Sequence, residues 1–402
     1  MPESHARGGP LTGIRVVDLT QVYSGPYATF LLAMAGADVI KVEPREGDSL
    51  RNRKGPGGAA LPFALLNGNK RTTTLNLKDE GGRALLMRLL ATADVLVENF
   101  RPGVMERLDL GRDALRRRFP RLIYASVSGY GSDGPYRDYP AMDLTVQAFA
   151  GIMDSTGFPD QPPVKAGAAL TDFSAGAHLY GAIVTALWQR ERTGQAIATE
   201  VAMLDSIYPS LASGLGLAMR PGSDYVPRTG NRHGGLSVCP YNVYPAADGY
   251  IAIVCNTDAN WHALAKALGR HDLAADPRFG TMAGRIAHID HIDAEIGRET
   301  RKHGRDELSA LLNGSGAICG AVRTVREVLN DPLLHRSGLL SEIVHPEYGS
   351  LVVARSALRF SDQPSPAHEP SHALGADNDA VFGGELGLSD DELARLRKAG
   401  VI

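Results

Sequence analysis

Cysteine is scarce in this chain: Cys239, Cys255 and Cys319 are widely spaced and none lies in a CxxC pair. That excludes a disulfide framework and a zinc knuckle, and it suits a reducing, cytoplasmic compartment. Charge of one sign is lacking too, because 42 Lys and Arg stand against 45 Asp and Glu, a formal net charge of −3. Without a basic excess, neither nucleic acid nor an anionic membrane is an expected partner. No apolar run approaches the roughly 18 residues needed to span a bilayer, and the opening MPESHARGGP has no apolar signal-peptide core. The expectation is a cytoplasmic protein whose residues 1–10 form a disordered tail. Tandem repeats and low-complexity blocks are absent as well.

What is present is length and alternation. The 402 residues are enough for two or three domains with a sizeable core. Residues 14–19 (IRVVDL) have the apolar character of a strand, YATFLLAMA that of a helix, and GADVIKVEP that of a second buried strand. A helix over 80–91, a strand over 94–99 (DVLVEN), helical segments to 119 and a strand over 122–128 (LIYASVS) continue the pattern. Strands alternating with helices predict an α/β domain with a parallel sheet. The texture breaks at PGSDYVPRTGNRHGGLS, a Pro/Gly/Ser-rich connection. A hairpin follows in CPYNVYPAADGYIAIVCN, turning at 247–249, with helices beyond it. The predicted division is 11–219 for a large domain, 220–337 for a small one and 338–402 for a C-terminal segment. A capping box at Ser389–Glu392 opens the last helix.

Several signals have plain structural explanations. GYGSDG at 129–134 matches G-x-G-x-x-G, but Pro135 and Pro140 follow where a phosphate-binding helix would have to begin, so a dinucleotide site is not expected. HIDHID places His288, Asp290, His291 and Asp293 at spacings that a solvated amphipathic helix also produces, and no metal site is assigned. Arg116, Arg117 and Arg118 read as an exposed helix face. More telling are Arg45, Lys70, Arg71, Arg101 and Arg107, which lie beside predicted strand ends, where α/β sheets bind ligands and several cations suit a polyphosphate. Independent surface arginines would look the same in sequence. No Walker-type loop accompanies them.

In AALTDFSAGAH, Asp172 precedes a long apolar-periodic segment, and its local pattern is that of a helix N-cap. The ordered series GIRVVDL…SGP, LLAMAGADVIKVEP, NGNKRTTTLNLK, ADVLVENFRPGVMERL, SGYGSDGP, GAALTDFSAG and LGADNDAV, however, resembles the class III coenzyme A transferases across nearly the whole chain. That group includes formyl-CoA transferase, carnitine-CoA transferase and α-methylacyl-CoA racemase. The resemblance implies a Rossmann-like large domain built from both chain ends, a smaller α+β domain between them, and an interlocked homodimer. It places the acyl-accepting carboxylate at Asp172 and the CoA contacts at Arg45, Lys70, Arg71, Arg101 and Arg107.

An aspartate of ordinary pKa is ionised at neutral pH and needs no general base to attack a thioester, while helix-start N–H groups can stabilise the oxyanion. The implied reaction moves CoA from an acyl-CoA to a carboxylic acid, with the CoA thioester as substrate and no resident cofactor. Tyr23 stands where formyl-CoA transferases carry Gln, and only Gly234 and Gly235 stand for a longer glycine-rich loop, so oxalate is not the expected acceptor. Tyr23, Arg228, Arg232, His233, Gly234 and Gly235 are the candidate contacts for another acid. A racemase on the same scaffold is the second reading. Against it, this chain has Met142 where the racemase branch carries a His. A non-catalytic acyl-CoA-binding protein is the third, and it would not need Asp172.

Overall fold

The computed structural model describes residues 8–53, 61–222, 225–362 and 366–402. Most of the expected N-terminal tail therefore lies outside the described residues. The chain divides into two units. The first comprises residues 1–146, 168–207 and 331–402, and the second 147–167 and 208–330. Residues 147–167 and 208–219 thus go with the second unit rather than with the large N-terminal one, and residues 331–337 go with the first unit rather than with the small domain.

The first unit is built on six parallel strands: β1 (Arg15–Asp18), β2 (Asp38–Glu43), β3 (Arg71–Thr74), β4 (Val95–Glu98), β5 (Ile123–Ser128) and β6 (Thr199–Ala202). Their order is β3-β2-β1-β4-β5-β6, and every pairing is parallel. That order reverses direction between β1 and β4, which creates a crevice at the carboxyl ends of those two strands. Gln21 and Asn99 bridge it. The Gln21 N–H donates to Asn99 Oδ1 at 2.9 Å, and Asn99 Nδ2 donates to the Gln21 carbonyl at 2.7 Å.

Apolar side chains fill both faces of the sheet. One face packs against α1 (Ser24–Met34) and the long helix α2 (Leu170–Thr193), through Ala28, Leu32, Leu179 and Ile183. The other packs against the helix Glu80–Leu90 and the last residues of the chain, through Leu86, Phe382, Leu393 and Ile402. The C-terminal segment also closes the exposed edge at β3. Thr72 and Asp377 exchange hydrogen bonds, and Thr74 N–H donates to Asn378 Oδ1 at 2.9 Å. The expected capping box at Ser389 is present.

The second unit holds a three-stranded antiparallel sheet of β7 (Tyr241–Ala246), β8 (Gly249–Val254) and β9 (Ile318–Ala321), with a helical core around Trp261, Phe279 and Leu308. Among the described residues no helix is long and apolar enough to cross a membrane.

Candidate active site

Helix α2 precedes β6 by a short connection, and β6 runs parallel to the rest of the sheet. The helix therefore runs antiparallel to the strands and starts at their carboxyl edge. Asp172 lies in its first turn but is not its cap. Ala169 holds the N-cap position, and the acceptor for the exposed helix start comes from Asp143. Asp143 Oδ1 accepts from the Thr171 N–H at 2.9 Å and from Thr171 Oγ1 at 2.8 Å. The Phe173 N–H donates to the Ala169 carbonyl at 3.2 Å. Both amides flanking Asp172 are thus engaged, which corrects the expectation that they stand ready for an oxyanion.

The Asp172 side chain has no hydrogen bond or ion pair among the described residues, although it is only 7% exposed. Burial, reinforced by the negative charge of Asp143, pushes its pKa up to about 7. This corrects the expectation of an ordinary, fully ionised aspartate, because near neutral pH the free carboxyl is divided between its two forms. Gly176, one turn further on, allows the close approach that sets this geometry. A Cβ there would lie 2.5 Å from the Ser24 carbonyl oxygen, so only glycine lets α1 and α2 touch. Tyr23, the residue just before α1, and Tyr27 within it are thereby brought against Phe173.

The five basic candidates separate. Arg45, after β2, and Arg101 and Arg107, after β4, are exposed and available. Lys70 is not. It is 1% exposed and donates to Asp18 Oδ2, Thr29 Oγ1, Asn67 Oδ1 and the Pro26 carbonyl, which exhausts its donors, and burial lowers its pKa to about 8. Arg71 is bound to Asp38 at 2.6 Å and to Glu385. The reason is positional: Arg71 opens β3 rather than following it, so it pairs with the first residue of β2. Lys78, beyond the carboxyl end of β3 and exposed, occupies the place expected for those two.

Arg101, Arg112 and Arg137 line a cleft of about 480 Å³ at the carboxyl ends of β4 and β5, beside the first residues of β6. On its wall Glu98 accepts from the Phe100 N–H at 2.8 Å and the Tyr124 hydroxyl at 3.0 Å. Burial nevertheless raises the Glu98 pKa to about 7. Sequence reasoning missed Lys78, Arg112 and Arg137 because their relation to the sheet depends on β3, on the helix that Arg112 opens between β4 and β5, and on the loop after β5. Asp143 was legible as part of AMD, but not as the group that caps α2.

In the second unit the weak candidates are also sorted. Arg232 is committed to Asp290 at 2.6 Å and Asp293 at 2.7 Å, and Arg228 to Asp154 at 2.9 Å. These pairs hold the loop to its own unit, so neither guanidinium is free for a substrate. His233 Nδ1 accepts from the Gly235 N–H at 3.1 Å, which closes a tight turn around Gly234 and places the ring proton on Nε2. The same ion pairs account for HIDHID. Asp290 and Asp293 are neutralised by Arg232, His288 and His291 pack on Phe279, and no group of metal-ligating residues occurs among the described residues.

Comparison with known proteins agrees with this architecture. Residues 11–378 match the model of CoA-transferase family III. A formyl-CoA:oxalate CoA-transferase of Streptomyces avermitilis is 38% identical, with 98% of this chain and 99% of that protein covered. An acetyl-CoA:oxalate CoA-transferase of Acetobacter aceti is 37% identical over 90% of this chain and 92% of its own. The crystal structure of a CAIB/BAIF family protein from Brucella suis superposes with a TM-score of 0.82 at 34% identity, covering 94% of this chain and 99% of that one. The chain belongs to CoA-transferase family III and is an enzyme of that kind.

Proposed function

We propose that the protein transfers CoA from an acyl-CoA to a carboxylic acid through an acyl anhydride on Asp172. The carrying observation is a buried carboxyl at the carboxyl edge of the sheet with no partner of its own among the described residues, a group left uncommitted where open α/β sheets bind ligands. In its ionised form Asp172 attacks the thioester carbonyl, the C–S bond breaks, and CoA leaves as thiolate. The thiolate attacks the Asp172 carbonyl of the anhydride, releasing the first acid and leaving an aspartyl thioester. The incoming carboxylate displaces the thiolate to form a second anhydride. Attack of the thiolate on its acyl carbon then frees Asp172 and yields the new acyl-CoA. Protons and electron pairs balance without a cofactor.

Arg45, Arg101 and Arg107, joined by Lys78, are the groups proposed to hold the CoA phosphates. The same reading makes the protein a homodimer, supported by apolar side chains left open on the first unit, among them Trp188 at 63% exposure. The reaction is tested by incubating the enzyme with an acyl-CoA and trapping with hydroxylamine. The expected product is a hydroxamate on the Asp172 peptide. Turnover by Asp172→Ala close to that of the wild type would overturn the mechanism.

A further inference from the structure

Three aromatic rings gather around Phe173, the residue next to the nucleophile in the chain, and the chemistry above gives them no role. Phe173 follows Asp172 directly; its ring centroid lies 4.8 Å from that of Tyr27 and 6.2 Å from that of Tyr23. Phe173 is 38% exposed, so part of its face is open rather than packed away. The wall is firmly backed: Tyr27 leads into an apolar cluster of Phe30, Leu31, Met34, Tyr180 and Leu358. The Gly176 contact described above lets α1 and α2 pack closely behind it.

Neither the Tyr23 nor the Tyr27 hydroxyl has a hydrogen-bond partner among the described residues. Burial raises the Tyr27 pKa, so its phenol stays a neutral donor at working pH. The position of Tyr23 adds weight, since it stands in the loop between β1 and α1, at the sheet's switch point.

We propose that the Tyr23–Phe173–Tyr27 wall selects, as the acid activated at Asp172, a monocarboxylic acid with an aryl or branched alkyl body rather than a one- or two-carbon acid. This rests on the transferase reading. An apolar body laid against the rings removes their exposed faces from water, whereas formate has no apolar body to bury. Charge works in the same direction. The groups acting on Asp172 are its burial and the Asp143 carboxylate, both unfavourable to anions, so a compact dianion such as oxalate would add a third negative centre. A monoanion carries the single carboxylate that the reaction needs. The phenol hydroxyls of Tyr23 and Tyr27, unpartnered among the described residues, are the donors assigned to receive it.

The test is a competition assay on the full-length enzyme. One acyl-CoA donor is supplied with equal concentrations of formate, oxalate, succinate, phenylacetate and 4-methylpentanoate, and each new CoA ester is quantified by mass spectrometry. The expected result is that phenylacetate or 4-methylpentanoate exceeds formate and oxalate in kcat/KM by at least tenfold, the scale on which apolar pockets discriminate. Tyr23→Gln and Phe173→Ser should each reduce that ratio about tenfold, with folding checked by circular dichroism. Tyr23→Phe, which keeps the ring, should preserve it.

Preferred transfer to formate or oxalate, with the ratio unmoved in both variants, overturns the inference and leaves the transferase reading standing. Absence of transfer to every acid, together with no hydroxamate at Asp172, removes both. If the rings are instead covered by a second copy of the chain, Tyr23→Gln and Phe173→Ser will weaken self-association and leave the acid ratio unchanged, which also overturns the inference.

Discussion

Asp143 Oδ1 receives both the backbone N–H and the hydroxyl of Thr171, at 2.9 and 2.8 Å, so the carboxylate that caps the start of α2 is also the charge acting on Asp172 next to it. One group thereby fixes the nucleophile and makes its ionisation harder. The two roles can be separated. Asp143→Asn retains an acceptor oxygen and removes the charge, so the pKa of Asp172 should fall below about 7 and the acid limb of the kcat/KM profile should move to lower pH. Asp143→Ala removes the acceptor as well and should in addition cost about 1 kcal/mol of stability. An unmoved acid limb in Asp143→Asn would show that the charge does not tune the nucleophile.

A second prediction concerns stability against pH. Asp172 titrates near 7 in the folded chain and near 3.8 when unfolded, so between these values the native state binds more protons than the unfolded one. Stability contributed by this group is therefore lost as pH rises from about 4 to about 7, and above that the native state carries a fixed penalty of up to about 4 kcal/mol. Asp172→Asn has no charge to bury. It should be inactive yet melt at a higher temperature than the wild type at pH 8, with the difference shrinking toward pH 4. Equal melting temperatures at both pH values would contradict the raised pKa.

Much of this architecture could be read from the chain because its signals are local. β1, β2, β4 and β5 are apolar runs, and the hairpin of β7 and β8 turns where the Asp-Gly pair places it. β3 and β6 read RTTT and TEVA, too short and too polar to show a hydrophobic run. Lys70 and Arg71 come at the start of β3, and a strand this polar gives no sign that they stand at its amino end rather than at a carboxyl end. The cap of α2 was hidden for a different reason: its acceptor comes from 28 residues upstream, and Ala169 gives no sign of being a cap. The partners of Arg232 lie 58 and 61 residues away on another element, so its commitment to a salt bridge leaves no trace near the GNRHGG loop.

The transferase and racemase readings part at Met142. Inverting a carbon next to a thioester needs an acid on one face and a base on the other, and a thioether offers neither. His178 is already turned to its own helix, with Nδ1 2.8 Å from the Ser174 carbonyl. Incubation of a 2-methylacyl-CoA with the enzyme in deuterated water should give no incorporation at the α-carbon, while CoA still passes to an added acid. Rapid incorporation that depends on Asp172, read by mass spectrometry, would favour the racemase.

The basic residues supply the last prediction, because the structure divides them into two classes with opposite signatures. Arg101 is exposed and lines the cleft beyond β4, so Arg101→Ala should weaken CoA binding by about 1.5–3 kcal/mol through loss of a charge-assisted hydrogen bond. The dependence of affinity on salt should become shallower, and thermal stability should barely change. Lys70 faces inward, and Lys70→Met would leave the buried Asp18 carboxylate without its cation. The loss expected there is of stability, roughly 3 kcal/mol, since removing one partner strands the other charge. Burial also outweighs the attraction of Asp18 for the ammonium, so the Lys70 pKa lies near 8. Between about 8 and the ordinary lysine value of 10.5 the unfolded chain holds a proton that folded Lys70 has given up, so the stability contributed by this group should rise across that window. Calorimetric titration of CoA into both variants, set beside their melting curves at pH 7 and 9, resolves the two classes. A Lys70→Met enzyme that folds normally but binds CoA tenfold more weakly would return that lysine to the ligand site.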